Sequence, residues 1–203
     1  MTESEDRVRR LAAATGISAM AGRSYDWETI EAGLGMGLPP DYKLIADSFP
    51  DGWFRMFAEV RLPDSATRLL NDYALDVMDT VRELRAEQDF PDLDFPFPAY
   101  PESGGLLLCG ILRCPGYMFW VTGSGDPGKW PLVLTHEEYG YWERFDGSLC
   151  DFLTEVALGR FDASGFPDDF GWRGQDRIDI ASRPVFGPDE PREDGTLIPA
   201  GGS

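Results

Sequence analysis

The segment spanning residues 27–42 constrains the fold of this chain most strongly, because it predicts two short helices joined by a tight corner. Large apolar residues recur at helical spacing in its first half, at Trp27, Ile30 and Leu34. Three glycines between positions 33 and 37 end that periodicity. Pro39 and Pro40 then begin a second helix, since proline is tolerated in the first helical turn, where its missing amide hydrogen would have no partner. The segment contains no evident catalytic group, so it indicates a fold and not a reaction.

Helical and strand patterns flank this corner on both sides. Residues 6–14 predict a short amphipathic helix, and residues 53–62 alternate as a β-strand does. Between residues 65 and 88, apolar side chains repeat at helical spacing, which predicts the longest helix of the chain. The Asp-Phe-Pro repeats of residues 90–101 cannot continue a helix and predict an extended loop.

Four short apolar runs separated by turn residues follow this loop and predict an antiparallel meander. They span residues 106–112, 117–122, 132–135 and 140–145. Ser148 is placed to cap a closing helix that ends near residue 158. The sequence therefore predicts an α+β fold in a single domain, with an antiparallel sheet of about five to six strands flanked by helices.

Three parts of the chain differ in composition. Residues 1–24 form an N-terminal segment with the short helix, and residues 25–161 form the domain, with the helix of residues 65–88 as an insertion. Residues 162–203 form an acidic tail rich in glycine and proline, which we expect to be partly disordered, mainly over roughly its last fifteen residues. The aromatic residues of this tail that we expect to dock on the core are Phe166, Phe170 and Trp172. A chain of 203 residues buries roughly 70% of its unfolded surface, which suits one core.

The corner resembles the amino-terminal signature of the SUKH superfamily. In that signature a Trp and an acidic residue open a helix, Leu-Gly closes it, and Leu-Pro-x-Asp-Tyr begins the next helix. The residues that match are Trp27, Glu31, Leu34, Gly35, Leu38, Pro39, Asp41 and Tyr42. Downstream, the order of four segments resembles the sheet and closing helix of the same superfamily, at residues 106–110, 117–120, 130–133 and 148–158. The resemblance covers residues 25–161.

This superfamily includes fungal cell-wall assembly regulators and many bacterial immunity proteins that neutralise a partner toxin, often a nuclease or deaminase. Its members are generally binding proteins and not enzymes. The resemblance therefore implies a non-catalytic protein without a cofactor, in the first place an immunity protein that occludes a cognate toxin. The alternative is an intracellular scaffold or regulatory protein-interaction domain without a toxin partner, and the sequence does not separate the two.

The formal net charge of −18 opposes binding to the phosphate backbone of a nucleic acid. A basic protein, such as a nuclease-like toxin, is the natural complement of an acidic surface, although acidity also serves solubility alone. The sequence shows neither a long apolar segment nor a secretory signal, so we expect no membrane contact. Its three cysteines, an odd number, favour reduced thiols and a cytoplasmic location.

The sequence gives only weak support to three possible reactive sites. Residues 123–129 have two glycines and a lysine at the spacing of a phosphate-binding loop, but Trp130 replaces the hydroxyl residue that binds magnesium, and a strand pattern follows. His136 is the only histidine, which excludes a histidine-based metal triad, and we expect its side chain to be exposed. Cys109 and Cys114 have no matching second pair for zinc and are more simply core residues.

Acidic and aromatic residues near predicted loops form the candidate partner-binding set. Its members are Asp51, Trp53, Asp126, Trp130, Glu137, Glu138 and Tyr139, with Tyr141 and Trp142 close by in the sequence. Aromatic residues anchor protein interfaces, and acidic neighbours complement a basic partner. We expect Asp126, Glu137 and Glu138 to contribute most. The competing interpretation is that the aromatic residues, above all Trp53 and Trp142, are buried in the core.

Overall fold

Five α-helices and a seven-stranded antiparallel sheet make up the described part of the structure, which is a computed structural model. The described residues are 1–17, 23–86, 96–113, 116–123, 125–137, 139–161 and 184–187. The helices are α1 (Glu3–Thr15), α2 (Trp27–Leu34), α3 (Pro40–Ser48), α4 (Asp72–Ala86) and α5 (Leu149–Ala157). The strands are β1 (Trp53–Phe54), β2 (Ala58–Val60), β3 (Leu106–Leu112), β4 (Gly116–Val121), β5 (Leu132–His136), β6 (Trp142–Phe145) and β7 (Phe186–Gly187). The predicted α+β class is confirmed, with seven strands where five to six were expected.

The sheet is a meander that is extended at one edge. Its strand order is β6-β5-β4-β3-β2-β1-β7, and neighbouring strands are antiparallel. Strands β3 to β6 lie within the predicted runs or within one residue of them. Strand β7 comes from the segment expected to form the tail, and its Gly187 pairs with Trp53 of β1. The rest of that segment lies outside the described residues, including Phe166, Phe170 and Trp172.

The predicted corner is confirmed. Helix α2 begins after Asp26, whose carboxylate accepts a hydrogen bond from the Thr29 amide at 3.1 Å, and it ends at Gly35, which has a φ of 71°. A left-handed residue of this kind commonly closes a helix, and glycine adopts that conformation without strain. Pro40 occupies the first position of α3, where its missing amide hydrogen costs nothing.

Two residues of the corner fasten it to its surroundings. The Glu31 carboxylate accepts a hydrogen bond from the Leu38 amide at 2.8 Å and pairs with Lys43 at 2.6 Å, so it spans the turn between α2 and α3. Tyr42 is fully buried, and its hydroxyl donates a hydrogen bond to the carbonyl oxygen of Arg61 at 2.8 Å. The corner residues therefore serve helix ends and packing.

Helices α3 and α5 pack directly on one face of the sheet. The ring of Tyr42 in α3 meets Trp120 of β4 edge to face, with centroids 5.0 Å apart. Phe152 of α5 meets Phe145 of β6 in the same manner at 5.4 Å. Both helices thus contact side chains of the sheet that are themselves buried or half-buried.

Helix α1 packs against α3 and α5 and buries Leu11 completely. The Asp151 carboxylate of α5 pairs with Arg7 at 3.3 Å and with Arg10 at 3.4 Å. Ser148 caps α5 as predicted, because its hydroxyl accepts a hydrogen bond from the Asp151 amide at 3.2 Å. The N-terminal helix is therefore part of the packed structure.

Helix α4 and residues 96–105 lie on the opposite face of the sheet. Phe97 packs on Trp142 of β6 with ring centroids 5.8 Å apart. The Tyr100 hydroxyl donates a hydrogen bond to the carbonyl oxygen of Leu34 at 2.7 Å and ties this segment to α2. Of the loop predicted over residues 90–101, the described part contains neither helix nor regular strand, and residues 87–95 lie outside the described residues.

The single strand predicted over residues 53–62 is wrong, because this segment folds back as a tight hairpin of β1 and β2. Arg55 and Met56 at its tip have φ values of 50° and 52°. Positive φ at two successive turn residues usually requires Asn-Gly or a similar pair. Contacts from elsewhere in the chain stabilise it here: the Arg55 amide donates to the Val185 carbonyl at 3.0 Å, and its guanidinium Nε donates to the Ala157 carbonyl at 2.7 Å.

The helix predicted over residues 65–88 is shorter than expected at its start. Helix α4 begins at Asp72, where the Asn71 side chain accepts a hydrogen bond from the Ala74 amide at 2.9 Å, as a capping residue does. With 15 residues it is the longest of the described helices, as predicted. None of the described helices is both long and apolar enough to cross a membrane.

We predict that Gly110→Ala destabilises the protein by about 1–3 kcal/mol. A Cβ atom at this position of β3 would lie 2.6 Å from the carbonyl oxygen of Glu59, a backbone atom that cannot move aside, and would also meet the Met118 side chain. Gly33→Ala is the matched control. No atom lies within 4 Å of a Cβ at Gly33 in α2, so this change stabilises the helix by about 0.5–1 kcal/mol. Urea unfolding of both variants measures the two opposite changes, and equal effects would contradict the packing described.

Candidate partner-binding surface

A row of half-buried side chains crosses the face of the sheet that carries α4. The strand register pairs Trp53 with Glu59, Glu59 with Ile111, and Ile111 with Tyr117. Paired residues of neighbouring strands point to the same face of a sheet. Tyr117 and Trp120 are three residues apart in β4, so their side chains point to opposite faces of the sheet. Trp120 contacts α3, and the row therefore faces away from α3 and α5. All four members of the row are half-buried, so this face is covered only in part.

Helix α4 meets one side of this row. At its start, Tyr73 interacts with Tyr117 and keeps 44% of its surface exposed. We call the incompletely covered residues the open-face patch: Trp53, Glu59, Arg61, Tyr73, Ile111, Arg113 and Tyr117. Tryptophan, tyrosine and arginine are the residues that most often dominate the binding energy of protein interfaces. The composition of the patch therefore favours protein recognition.

Two arginines of the patch lie over aromatic rings. The guanidinium carbon of Arg61 is 4.9 Å from the ring centroid of Tyr73, and that of Arg113 is 5.8 Å from the ring centroid of Trp53. These distances fit cation–π contacts. Within the described residues, neither guanidinium forms an ion pair or a side-chain hydrogen bond, and the Nε atom of Arg61 is buried without an acceptor. Both cations are therefore held in place without a carboxylate.

Burial raises the pKa of two tyrosines around the patch above the ordinary value of 10. Tyr117 stacks on Tyr139 with ring centroids 5.6 Å apart and 17° between the ring planes. Burial, with smaller contributions from Tyr73 and Glu137, raises the pKa of Tyr117 to about 12. Burial also raises the pKa of Tyr139. Both hydroxyls are neutral hydrogen-bonding groups at physiological pH.

Three of the predicted binding residues gather at this patch. Trp53 is a member of it. Glu137 is exposed just after β5 and acts electrostatically on Tyr117 and Tyr139. Tyr139 is only 3% exposed and packs against Tyr117, so it supports the surface and does not present its ring to a partner.

Two predicted acidic residues lie away from the patch or are already paired. The Asp51 carboxylate is exposed but pairs with Arg23 at 2.7 Å. Asp126 is exposed in the connection between β4 and β5, and its carboxylate accepts a hydrogen bond from the Gly128 amide at 3.0 Å. This connection lies at the opposite end of the β4–β5 hairpin from Glu137. Asp126 and Glu137 therefore do not form one surface.

The remaining aromatic residues of the predicted set are buried or half-buried. Trp130 is 6% exposed, and its ring centroid lies 6.4 Å from that of Trp120. Tyr141 and Trp142 are half-buried in or beside β6. Glu138 lies outside the described residues. Trp130 therefore serves packing in this structure, as the competing interpretation of the strand aromatics expects.

Sequence reasoning missed the two arginines of the patch. Arg61 directly follows β2 and Arg113 directly follows β3, and the register brings these strands side by side. Alternation along the sequence places a residue on a face, but it does not reveal which strands are neighbours. The sequence predicts one strand where β1 and β2 form a hairpin, so it does not reveal that Arg113 lies over Trp53 of β1.

The residues considered for catalysis or metal binding are buried or lack partners of the required kind. His136 is 5% exposed, so the expectation of an exposed histidine is wrong. Burial raises the pKa of the thiols of Cys109 and Cys150, which are therefore protonated at neutral pH, and Cys114 lies outside the described residues. The described residues contain no group of three or more His, Cys, Asp or Glu side chains that could hold a metal ion. Residues 123–129 connect the antiparallel strands β4 and β5, and no helix follows them as a phosphate-binding loop requires.

Three surface clefts in the described part of the chain are lined by none of these residues. A cleft of about 500 Å³ lies between the α2–α3 corner, residues 101–103 and the β4–β5 connection. Two others, of about 400 and 240 Å³, lie between α1 and α5 and beside the start of α5. None of these three is lined by His136, Cys109 or Cys150.

Comparison of the chain with protein-family models, with curated proteins and with solved structures finds no match.

We predict a loss of stability at alkaline pH that depends on Tyr117. Its pKa of about 12 in the folded protein exceeds the ordinary value of 10. The contribution of its protonated hydroxyl to the free energy of unfolding is therefore complete below pH 10 and is lost as the pH rises through 12. Tyr117→Phe keeps the ring and removes the titrating hydroxyl. Urea unfolding between pH 8 and pH 11.5 should therefore show a steeper decline for the wild type than for the variant. Parallel curves would contradict this assignment.

Proposed function

We propose that this protein is a non-catalytic binding protein that neutralises a partner toxin by covering the toxin's active site or substrate groove. The observation that carries the proposal is the open-face patch, where aromatic rings and two stacked arginines lie on an incompletely covered sheet. Side chains of this kind concentrate the binding energy of protein interfaces. Occlusion requires neither turnover nor a cofactor.

The resemblance of the corner to the SUKH signature supports the same class of function. In the structure, Glu31 and Tyr42 fasten the corner, and Gly35 and Pro40 shape its helix ends. These motif residues therefore serve packing and the shape of the corner. The proposed binding residues accordingly lie outside the motif, on the sheet.

The net charge supports a basic partner, such as a nuclease-like toxin. A formal charge of −18 attracts a cationic protein from a distance and raises the association rate. Salt weakens that attraction, since the Debye length is about 8 Å at physiological ionic strength. An association rate that falls with added salt is therefore expected.

We predict that Tyr73→Ala weakens binding to the protein encoded beside this gene at least about tenfold, which corresponds to about 1.4 kcal/mol. Tyr73 is 44% exposed and holds the Arg61 guanidinium in place. Leu158→Ala is the matched control, because Leu158 is 42% exposed at the end of α5, on the opposite side of the sheet. Titration calorimetry with each variant measures the difference, and circular dichroism confirms that both fold.

A binding measurement combined with a cell-protection assay separates a toxin inhibitor from a scaffold. A toxin inhibitor binds the neighbouring gene product and protects cells that express it. A scaffold or regulatory domain binds a partner without protecting cells. Failure to bind or to protect against any toxin encoded beside the gene would overturn the proposal.

We also predict that His136→Gln leaves protection in a toxin assay unchanged once folding is confirmed. His136 is buried, and an occluding protein uses no general base. The growth of cells that express the toxin with each form of the protein is the readout. Complete loss of protection by a folded variant would favour an enzymatic mechanism instead.

A further inference from the structure

Arg61 and Arg113 have no carboxylate partner among the described residues, in a chain that has a large excess of carboxylates. The sequence holds 36 aspartates and glutamates against 18 lysines and arginines. Other arginines of the described residues pair with carboxylates, as Arg23, Arg82 and Arg160 do. With acids outnumbering bases two to one, an arginine that has no carboxylate partner in the described part of the chain is unusual, and the open-face patch contains two of them.

From this we infer that Arg61 and Arg113 are a recognition pair for two acidic side chains of a protein partner. The inference rests on the proposed binding function and specifies the chemistry that the partner presents to the patch. The net charge of the chain governs the approach of a partner, whereas these two cations govern the contact itself.

The contacts of each guanidinium leave it able to bind a carboxylate. The contact with Tyr73 or Trp53 is made by the π face of the ring and uses no hydrogen bond of the guanidinium. Within the described residues the Nη donors therefore stay available, and two N–H groups of one guanidinium match two carboxylate oxygens. The ring contact also limits the motion of the side chain, so less freedom is lost when a carboxylate binds.

The register sets the separation of the two arginine backbones along the sheet. The Arg61 amide donates to the Cys109 carbonyl at 2.9 Å, and the Arg113 amide donates to the Phe57 carbonyl at 2.8 Å. Phe57 and Arg61 flank β2 and are four residues apart in the sequence, which corresponds to about 13 Å of extended backbone. The two guanidiniums also lie over rings of different elements, α4 and β1, so we treat them as two separate carboxylate sites. The patch therefore fits two acids four residues apart in an extended segment of the partner.

The residues between the cations restrict what lies between the two acids. Glu59 and Ile111 are paired neighbours in this interval. A third acidic group there would be repelled by Glu59, whereas an apolar or basic side chain would be accepted. The expected partner sequence is acidic at both ends and neutral or basic in the middle.

A peptide titration tests this inference without the toxin. The probe is the blocked peptide Glu-Thr-Lys-Thr-Glu, added to the full chain at physiological ionic strength, and the control peptide carries Gln in place of both Glu residues. We expect saturable shifts of the Arg61 and Arg113 Nε–H signals and of the Trp53 indole N–H signal in NMR spectra with the acidic peptide alone. Absence of these shifts, or equal shifts with both peptides, would overturn the inference.

Charge variants make the test specific to these residues. Arg61→Gln and Arg113→Gln should each weaken binding of the acidic peptide at least about fivefold, whereas Arg160→Gln, three residues after the end of α5, should have no effect. Arg61→Lys and Arg113→Lys keep the charge and serve where a glutamine variant does not fold. Unchanged affinity in all the patch variants would contradict the inference.

The two proposals fail separately. Peptide binding without protection from any toxin would overturn the proposed function and leave the recognition pair intact. Toxin binding that depends on Tyr73 but is insensitive to both arginine substitutions would overturn the recognition pair and leave the proposed function intact.

Discussion

The buried side chain of Tyr42 is the contact on which the rest of the structure depends. Its ring packs edge to face on Trp120 in the middle of the sheet, at 5.0 Å. Its hydroxyl donates to the carbonyl oxygen of Arg61 at the end of β2. Burial raises the pKa of this hydroxyl, so it stays protonated and continues to donate. One side chain thus joins the α2–α3 corner to two strands, and it positions the backbone of a residue in the open-face patch.

The two faces of the sheet have different roles because helices cover them unequally. On one face, α3 and α5 bury Trp120 and Phe152, and ion pairs of Asp151 add α1 to the same layer. On the other face, α4 leaves a half-buried row between Trp53 and Tyr117. The acidic chain therefore carries, on its less covered face, two arginines that lie over aromatic rings and have no carboxylate partner among the residues described. Under the proposed function, the negative net charge attracts the partner over long distances, and the two positively charged arginines recognise it at contact.

Local patterns in the sequence predicted the elements whose causes are local. The caps at Ser148 and Gly35 and the first helical position of Pro40 depend on a few neighbouring residues, and each is found where the sequence places it. The hairpin at Arg55 was not predictable in this way. Arg55, one of its two left-handed residues, is held by carbonyl groups more than a hundred residues away in the sequence. The same is true of β7, whose place in the sheet depends on β1.

The same distinction between local and long-range causes applies to the candidate surface. The sequence by itself determined the α+β class and the helical corner, because composition and period are properties of single segments. Only the tertiary structure decided that Trp130 and Tyr139 are buried and that Arg61 and Arg113 flank one patch. Burial and neighbourhood are set by strand register and by which helix covers which face. Those are contacts between distant segments, and no single segment encodes them.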